Sequence, residues 1–482
     1  MKRDKKIYIF IAIFLFVSSQ ILSKGVNNLD EIWNYNFARC TSIGLIPYKQ
    51  YSIIQGPLLP FICSIFLKIF GNEMIITRFL AIILDSSILV LSYIIMKKLE
   101  IKDYLKYIIL IIMAIIMKDY FAIDYNWSSL FLVLIIIYLE LIQKESYKKN
   151  IIIGIIAGTT IALKQTTGII IVFATLAYNL LTIKNKNDFK EISKRILYRF
   201  LGASFSIVIF LVVLLKLDII NQYIDYCIMG INTFTNKINY IDRLIKNSNL
   251  IIRTLSILPI IIYLFLGYKY FKTSEKRALI LMTYSIAQFI VVYPIADEAH
   301  FVLAITPTLI SIGYILNMLH EKIRIDKKEE IFIETFLSMM IILISITYFI
   351  VSIIEYKNKN INMELNHFKY LPMSEDEISD VKEIDNFIIA QKKDVYILDA
   401  TAALYMIPID RYNKDYDMFN KGNFGAKGED GQIEKLKQTK EKIVLIKSSK
   451  YSRNWQNPEK VRNFVINNMN KIGEIGVFDI YE

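Results

Sequence analysis

Long apolar segments alternate with short charged ones through the first three quarters of the chain. A helix needs about 20 apolar residues to cross the hydrocarbon core of a bilayer. Segments near this length predict an α-helical polytopic membrane protein with about eleven transmembrane helices: Ile7–Leu22, Ile75–Met96, Tyr104–Met117, Ser128–Ile142, Ile151–Leu163, Gly168–Ile183, Leu197–Leu217, Leu250–Gly267, Ala278–Tyr293, Phe301–Met318 and Ile331–Ile354. The apolar run Leu58–Phe70 is too short to span and has prolines at its start, which predicts an interfacial or re-entrant helix.

The end of the chain is polar and shows a different pattern. Three short buried strands and three amphipathic helices are predicted there: strands at Asp394–Asp399, Lys442–Lys447 and Val477–Tyr481, and helices at Ser374–Lys392, Gln432–Thr439 and Pro458–Asn470. We therefore predict a transmembrane domain over residues 1–354 and a small α/β domain over residues 355–482. The glycine-rich segment Gly422–Gly431 matches neither the P-loop nor the dinucleotide fingerprint, so we interpret it as a cluster of turns.

Basic residues are concentrated in every second loop between the apolar segments. They are Lys97, Lys98 and Lys102; Lys144, Lys148 and Lys149; Lys184 to Arg199; Lys269 to Arg277; and Lys322 to Lys328. The positive-inside rule makes these loops cytoplasmic. The chain is then a multi-pass cell-membrane protein with a cytoplasmic amino terminus and an extracytoplasmic carboxy-terminal domain. No small-x-small cleavage site follows Ile7–Leu22, which favours an uncleaved first span.

Composition supports this division into apolar spans and a polar domain. With 54% hydrophobic residues, 21% charged residues and a mean hydropathy of +0.40, the chain is too apolar for an ordinary soluble protein and too charged for helices alone. The net charge of +12 lies in loops between spans, which argues against nucleic acid as a partner. The three cysteines form no CxxC pair, which argues against a zinc site or a disulfide framework.

Two groups of acids lie near the predicted outer ends of spans, where ionisable side chains are costly. Asp30 and Glu31 follow the first span, and adjacent carboxylates suit a general base with an orienting or metal-binding neighbour. Acids at the start of a solvated helix are the alternative. Asp297, Glu298 and His300 suit a divalent cation or a phosphate partner, or else form a hydrated loop before a helix.

Two basic residues and a second acidic loop also fall on the outer side. Lys164 lies in a tight outer turn against the positive-inside trend, which suits a lipid-linked phosphate or a snorkelled side chain. Arg78, at the outer start of the second span, has the same two interpretations. Asp119 and Asp124 alternate with aromatic residues, as in a sugar-binding loop or an aromatic belt. All of these acids and basic residues are predicted to lie on the outer side, as a site at the membrane surface requires.

The first outer loop carries a more specific pattern. The Asp30–Glu31 pair is followed by Gly44–Tyr48 (GLIPY) and Gln55–Leu58 (QGPL), then by a proline-led apolar helix. This order resembles the GT-C membrane glycosyltransferases, in style the protein O-mannosyltransferase-like and aminoarabinose transferase-like branch. Gly154–Gly168 and Tyr293–Pro307 also resemble the middle and late spans of bacterial members. The resemblance covers Met1 to Ile354, with no match for residues 355–482.

The resemblance implies a substrate class and residue roles. Such enzymes transfer a sugar, a hexose or a pentose, with inversion from a polyprenyl-phosphate donor to a glycan, lipid or protein acceptor of the cell envelope. Asp30 would be the base, and Glu31 would orient the acceptor or a cation. Lys164 and Arg78 would stabilise the leaving phosphate. The remaining substrate contacts would come from Tyr48, Asp119, Asp124, Asp297, Glu298 and His300.

Metal use is open, and a divalent cation such as Mg²⁺ or Mn²⁺ would have Glu31, Asp297 and His300 as its ligands. A transporter or flippase of lipid-linked sugars is the main alternative function. A transporter would carry charged residues within its spans, and its two halves would often repeat each other. The sequence shows few charges within the spans and no evident repeat. A polysaccharide polymerase or ligase is a close relative of the transferase hypothesis. A membrane scaffold without catalytic activity would leave the outer acids unexplained.

Overall fold

Helices dominate the computed structural model, which describes residues 6–26, 28–142, 144–233, 239–246, 250–293, 295–320, 326–451 and 456–482. In chain order the helices of its first part are α1 Lys6–Leu22, α2 Leu29–Ser42, α3 Leu58–Phe70, α4 Met74–Lys98, α5 Asp103–Met117, α6 Tyr125–Leu141, α7 Tyr147–Leu163, α8 Gln165–Leu181, α9 Lys186–Lys216, α10 Ile220–Tyr223, α11 Tyr240–Ile245, α12 Leu250–Thr273, α13 Lys276–Phe289, α14 Glu298–His320 and α15 Lys327–Asn358. Each predicted span overlaps one of these helices.

Several of these helices suit a membrane. Within the described residues, five helices are long and apolar enough to cross one by length and composition: α4, α9, α12, α14 and α15. Shorter apolar helices include α1, α3, α6 and α8. Most of the apolar surface of α9 and α15 is exposed, as expected of helices that face lipid. The structure therefore supports a multi-pass membrane protein, while the number of eleven spans and the orientation stay predictions.

Glycine allows α7 to pack closely against its neighbours. A Cβ atom added to Gly154 would lie 2.1 Å from the backbone oxygen of Arg199 in α9, and one added to Gly168 would lie 2.3 Å from the backbone nitrogen of Ile161. Small residues at such crossings let membrane helices approach backbone to backbone. The close approach of α8 to α7 is compatible with a connection of one residue, Lys164, between them.

The carboxy-terminal part folds as a small α/β structure. Its helices are α16 Glu375–Ala390, α17 Ala402–Met406, α18 Gly428–Gln438 and α19 Glu459–Asn468, and its strands are β1 Asp394–Ile397, β2 Lys442–Lys447, β3 Lys471–Ile475 and β4 Phe478–Tyr481. The sheet order is β1-β2-β4-β3, with β1 parallel to β2 and the other two pairings antiparallel. The predicted sheet is confirmed, and β3 is an addition to it. The residues of β3 are at least partly exposed, so β3 lacks the buried apolar run by which the other strands were predicted.

The chain forms two compact units. Unit 1 comprises Met1–Ile21, Ala81–Phe210 and Asn236–Ser352, and unit 2 comprises Leu22–Leu80, Leu211–Thr235 and Ile353–Glu482. The α/β structure therefore shares its unit with the segment that contains α2, α3 and the start of α4. The predicted domain boundary between residues 354 and 355 stays a prediction.

Candidate active site

The two predicted catalytic acids lie at the start of α2 in unit 2. Asn28 caps this helix, and its Oδ1 accepts hydrogen bonds from the backbone nitrogens of Asp30 at 3.0 Å and Glu31 at 3.3 Å. Successive helical residues point in directions about 100° apart, and the two acids have different environments as a result. Asp30 is exposed, whereas Glu31 is buried. Of these two acids, only Asp30 therefore presents its carboxylate on the surface of this unit.

Glu31 forms a buried ion pair with Arg78 of α4. The Arg78 Nε donates to Glu31 Oε1 at 2.7 Å, and its Nη2 donates to Oε2 at 3.1 Å. Arg78 is fully buried and also donates to the backbone oxygens of Lys24 at 2.6 Å and Gly25 at 2.9 Å. All three of its nitrogens thus have protein acceptors. We therefore reassign Arg78 from phosphate binding, and Glu31 from acceptor or cation binding, to holding the start of α2 in place.

Removing one partner of this pair should destabilise the fold. We expect Glu31→Ala to lower the free energy of unfolding by about 3–5 kcal/mol, because a fully buried guanidinium would lose its counter-charge. Thermal unfolding of the purified protein in detergent measures this. The matched control is Lys49→Ala, which removes a more exposed pair with Asp218 in the same unit and should cost about 1 kcal/mol or less. Equal losses from the two variants would contradict the assignment.

Tyr48, a predicted substrate contact, is buried in an aromatic cluster. Its hydroxyl donates to the backbone oxygen of Gln55 at 2.6 Å, and its ring packs against Tyr223 at 6.0 Å and Tyr226 at 6.3 Å between centroids. Only 4% of Tyr48 is exposed. We therefore reassign Tyr48 to the packing of the first outer loop.

An Asp–His pair lies at the start of α14 in unit 1. The Asp297 Oδ1 accepts from the backbone nitrogen of His300 at 2.9 Å and from its ring Nδ1 at 2.7 Å. Because a carboxylate only accepts, the Nδ1 carries the proton of this bond, and the Nε2 has no hydrogen-bond partner recorded in the described part of the chain. Burial raises the pKa of the Asp297 carboxyl, but the hydrogen bonds and charge of His300 outweigh it and hold this pKa below its usual range.

The acidic loop before α6 contacts the same start of α14. Tyr120 donates its hydroxyl to Glu298 Oε2 at 3.0 Å, and burial together with this carboxylate raises the Tyr120 pKa to about 12. Asp119 is exposed and pairs with Lys118 at 2.8 Å. Asp124 is buried and caps α6 through the backbone nitrogen of Trp127 at 2.8 Å. Asp119 and Glu298 thus remain accessible candidates for sugar hydroxyls, while Asp124 has a structural role.

Lys164 is a partly buried cation beside these acids. Its Nζ donates to Asn126 Oδ1 at 2.5 Å and lies 5.5 Å from the ring centre of Tyr125. Burial lowers the Lys164 pKa to about 8, although the nearby charges of Asp124 and Asp297 favour the protonated form. The structure therefore brings three of the predicted groups together within unit 1: the Lys164 turn, the Asp119–Trp127 loop and the Asp297–His300 segment.

The lowered pKa makes binding at Lys164 depend on pH. A depressed lysine pKa means that the cation is present below about pH 8 and is lost above it. We expect the affinity for a phosphodiester-linked donor to fall about tenfold between about pH 7 and pH 9, because the charge of the diester is constant over that range. Binding of a labelled donor across this range measures the effect. A profile that is unchanged in Lys164→Arg, which stays charged, would contradict the assignment.

Arg243 of α11 is a second cation of unit 1 and was missed by the sequence analysis. Its Nη1 donates to the backbone oxygen of Ala296 at 3.1 Å, its Nε donates to Ser256 at 3.1 Å, and its guanidinium lies 4.5 Å from the ring centre of Phe301. Its charge also lowers the Asp297 pKa. Arg243 shares its loop, which is predicted to be an outer one, with Lys246, so the rule that selected the lone Lys164 does not single it out.

The predicted metal ligands are divided between the two units, with Glu31 in unit 2 and Asp297 and His300 in unit 1. Among the described residues, no three His, Cys, Asp or Glu side chains lie close enough together to hold a metal ion. Glu31 is neutralised by Arg78 in unit 2, and Asp297 is hydrogen-bonded to His300 in unit 1. We therefore derive no step through a divalent cation.

Comparisons with known proteins find similarity in structure. No family model matches the sequence, and no curated protein matches it. ArnT, the aminoarabinose transferase of Cupriavidus metallidurans, solved with undecaprenyl phosphate, has a TM-score of 0.59 at 10% identity, with 99% of this chain and 97% of that chain covered. The apo form of the same protein gives a TM-score of 0.57 at the same identity and coverage.

A second similar fold comes from an archaeon. The oligosaccharyltransferase AglB of Archaeoglobus fulgidus, solved with an inhibitory peptide and a dolichol-phosphate, has a TM-score of 0.51 at 12% identity, with 92% of this chain and 69% of that chain covered. An oligosaccharyltransferase of the same organism, tethered to an acceptor peptide, gives a TM-score of 0.53. The resemblance predicted from the first outer loop is therefore confirmed at the level of the fold.

Proposed function

We propose, on the premise that this chain has the fold of the GT-C membrane glycosyltransferases, that it transfers a sugar from a polyprenyl-phosphate donor to a cell-envelope acceptor. The observation that carries the proposal is the grouping in unit 1 of two cations, Lys164 and Arg243, with the Asp297–His300 pair. Structures of similar fold contain undecaprenyl phosphate in one case and a dolichol-phosphate in the other, which agrees with this donor class.

The two cations suit the donor phosphate. When the bond between the anomeric carbon and the phosphate oxygen breaks, negative charge increases on the departing lipid phosphate. Cations fixed beforehand near that charge stabilise the transition state more than the ground state. Lys164 is held by Asn126, and Arg243 is held by Ser256, Ala296 and Phe301, so both are preorganised. The guanidinium Nη2 of Arg243, for which no acceptor is recorded in the described part of the chain, is available for a phosphate oxygen.

The acids suit the sugar and the acceptor. Asp30 would remove the proton from an acceptor hydroxyl, whose oxygen then attacks the anomeric carbon from the side opposite the phosphate, which inverts the configuration. His300 would use its Nε2 for a sugar hydroxyl, with Asp297 fixing the ring. Glu298 and Asp119 would accept from other hydroxyls. We propose that this occurs on the extracytoplasmic side, with the amino terminus in the cytoplasm and the carboxy-terminal domain outside.

The direct test uses the full-length protein in lipid nanodiscs with radiolabelled polyprenyl-phosphate sugars. We expect release of polyprenyl phosphate together with transfer of label to an acceptor from envelope extracts, and no turnover of nucleotide sugars. Turnover of nucleotide sugars alone would overturn the donor assignment. Movement of intact donor across proteoliposomes without transfer would replace the transferase by a flippase. Comparison of single-sugar and oligosaccharide donors would distinguish a transferase of one sugar from a polymerase or ligase.

A further inference from the structure

Helix α2, which carries Asp30, has a buried polar surface. Every residue from Glu31 to Thr41 is buried, including the side chains of Asn34, Asn36 and Arg39. Buried polar groups require hydrogen-bond partners, and a helix outside the membrane spans would be more stable with apolar residues at such positions. The hydrogen-bond partners of these side chains therefore show which part of the chain fixes the position of α2.

These partners lie in the carboxy-terminal part of unit 2. The indole Nε1 of Trp33 donates to the backbone oxygen of Ala400 at 3.0 Å. Ala400 lies in the turn that follows β1. One turn later, the Nδ2 of Asn36 donates to Asp417 Oδ1 at 3.2 Å. A further turn along, Arg39 donates to the backbone oxygen of Arg411 and lies 3.6 Å from Asp410. Three successive turns of α2 are thus bonded to the α/β structure.

Asp417 is central to this contact. It is fully buried, and its Oδ1 also accepts from the backbone nitrogen of Asn413 at 3.0 Å. Burial raises the Asp417 pKa to about 7, although the Asn413 backbone, the charge of Arg39 and Asn36 each lower it. A carboxylate in this position is costly, and a costly buried polar network that fixes one arrangement is often kept for specificity.

The opposite end of α2 is fixed as well. Arg78 holds Glu31 in the first turn through two hydrogen bonds and anchors the preceding segment at Lys24 and Gly25. Asp30 directly precedes Glu31 in this first turn, and its backbone nitrogen donates to Asn28 Oδ1. The exposed carboxylate of Asp30 is therefore carried by a helix that is held in its first turn and again at Trp33, Asn36 and Arg39.

We propose that the carboxy-terminal α/β structure is a positioning element for the catalytic carboxylate, and that Asp417 acts as a positioning residue for Asp30 through Asn36. This rests on the proposed function only for the role of Asp30. The α/β structure then sets the orientation of α2 and with it the angle from which Asp30 reaches an acceptor hydroxyl. Small displacements of a reacting group lower rates steeply, so the contact affects turnover more than donor binding.

The experiment compares the full-length wild type with Asp417→Asn and with Trp33→Phe, which removes one hydrogen bond and keeps an aromatic ring. Hydrogen exchange of the α2 peptide, measured without substrate, should become about tenfold faster in Asp417→Asn. The kcat for sugar transfer should fall about tenfold while the KM for the donor stays unchanged. Trp33→Phe should shift both quantities in the same direction by a smaller factor. The matched control is Asp385→Asn, which alters another buried aspartate of the same α/β structure and should leave α2 exchange unchanged.

A double-mutant cycle separates positioning from general stability. If Asp417 acts through Asp30, its substitution should have little further effect on residual transfer in an Asp30→Asn background. An equal fold-loss in both backgrounds, or α2 exchange that is unchanged in Asp417→Asn, would overturn the proposal. An inactive wild type whose α2 exchange still accelerates in Asp417→Asn would overturn the proposed function and support the positioning of α2.

Discussion

Replacing Asp30 with Asn is expected to lower sugar transfer about a thousandfold, because an amide cannot take the proton of the acceptor hydroxyl. The side chain is exposed and Asn is nearly isosteric with Asp, so the fold should be unaffected. Initial rates with a labelled polyprenyl-phosphate sugar measure the loss. Donor binding should change little, since the base acts on the acceptor and not on the phosphate.

The matched control for this variant is Asp376→Asn. Asp376 is also an exposed acid in the first turn of a helix of unit 2, here α16, and should tolerate the change without loss of activity. Full activity in Asp30→Asn with normal expression would remove Asp30 from the mechanism. If His300→Asn then abolished transfer, the Nε2 of the Asp297–His300 pair would become the proposed base.

The second large effect concerns the donor phosphate. We expect Lys164→Gln to lower kcat/KM about a hundredfold, because one preorganised cation at the leaving group is lost. Arg243→Gln should have a comparable effect, and the double variant should lose more than either. Lys246→Gln is the matched control, since Lys246 is an exposed lysine of unit 1 that pairs only with Asp242 among its recorded contacts. A Lys164→Gln variant that keeps its donor affinity and its turnover would contradict the phosphate site.

The helices were predictable because each depends on a local property. An apolar run must satisfy its backbone hydrogen bonds internally, and the helix does so whatever its neighbours are. Strands β1 and β2 were predictable for a similar reason, since both are buried on two faces and carry continuous apolar residues. β3 lacks this pattern because its residues are at least partly exposed, unlike those of β1 at the other edge of the sheet.

The partners of individual side chains were not predictable in this way. Glu31 and Arg78 lie 47 residues apart, and nothing in either local sequence indicates that one neutralises the other. The same holds for Tyr48, whose neighbours Tyr223 and Tyr226 belong to a segment about 175 residues further along the chain. By contrast, Lys164 was selected as a candidate because a lone charge in a short turn that is predicted to face outward is unusual by itself. Arg243 shares a longer loop with Lys246, so the same rule does not select it. The sequence therefore indicated candidate residues better than their roles.

The long sequence separation within unit 2 has a consequence for biosynthesis. Asn36 and its partner Asp417 are 381 residues apart, so the ribosome completes every membrane helix before the second half of this contact exists. Until then α2 lacks three of its anchoring hydrogen bonds. A nascent or prematurely terminated chain would insert into the membrane while α2, with Asp30 in its first turn, lacks these contacts. On the proposed function, such a chain would not transfer sugar, and activity would begin only after the carboxy-terminal α/β structure has folded against α2.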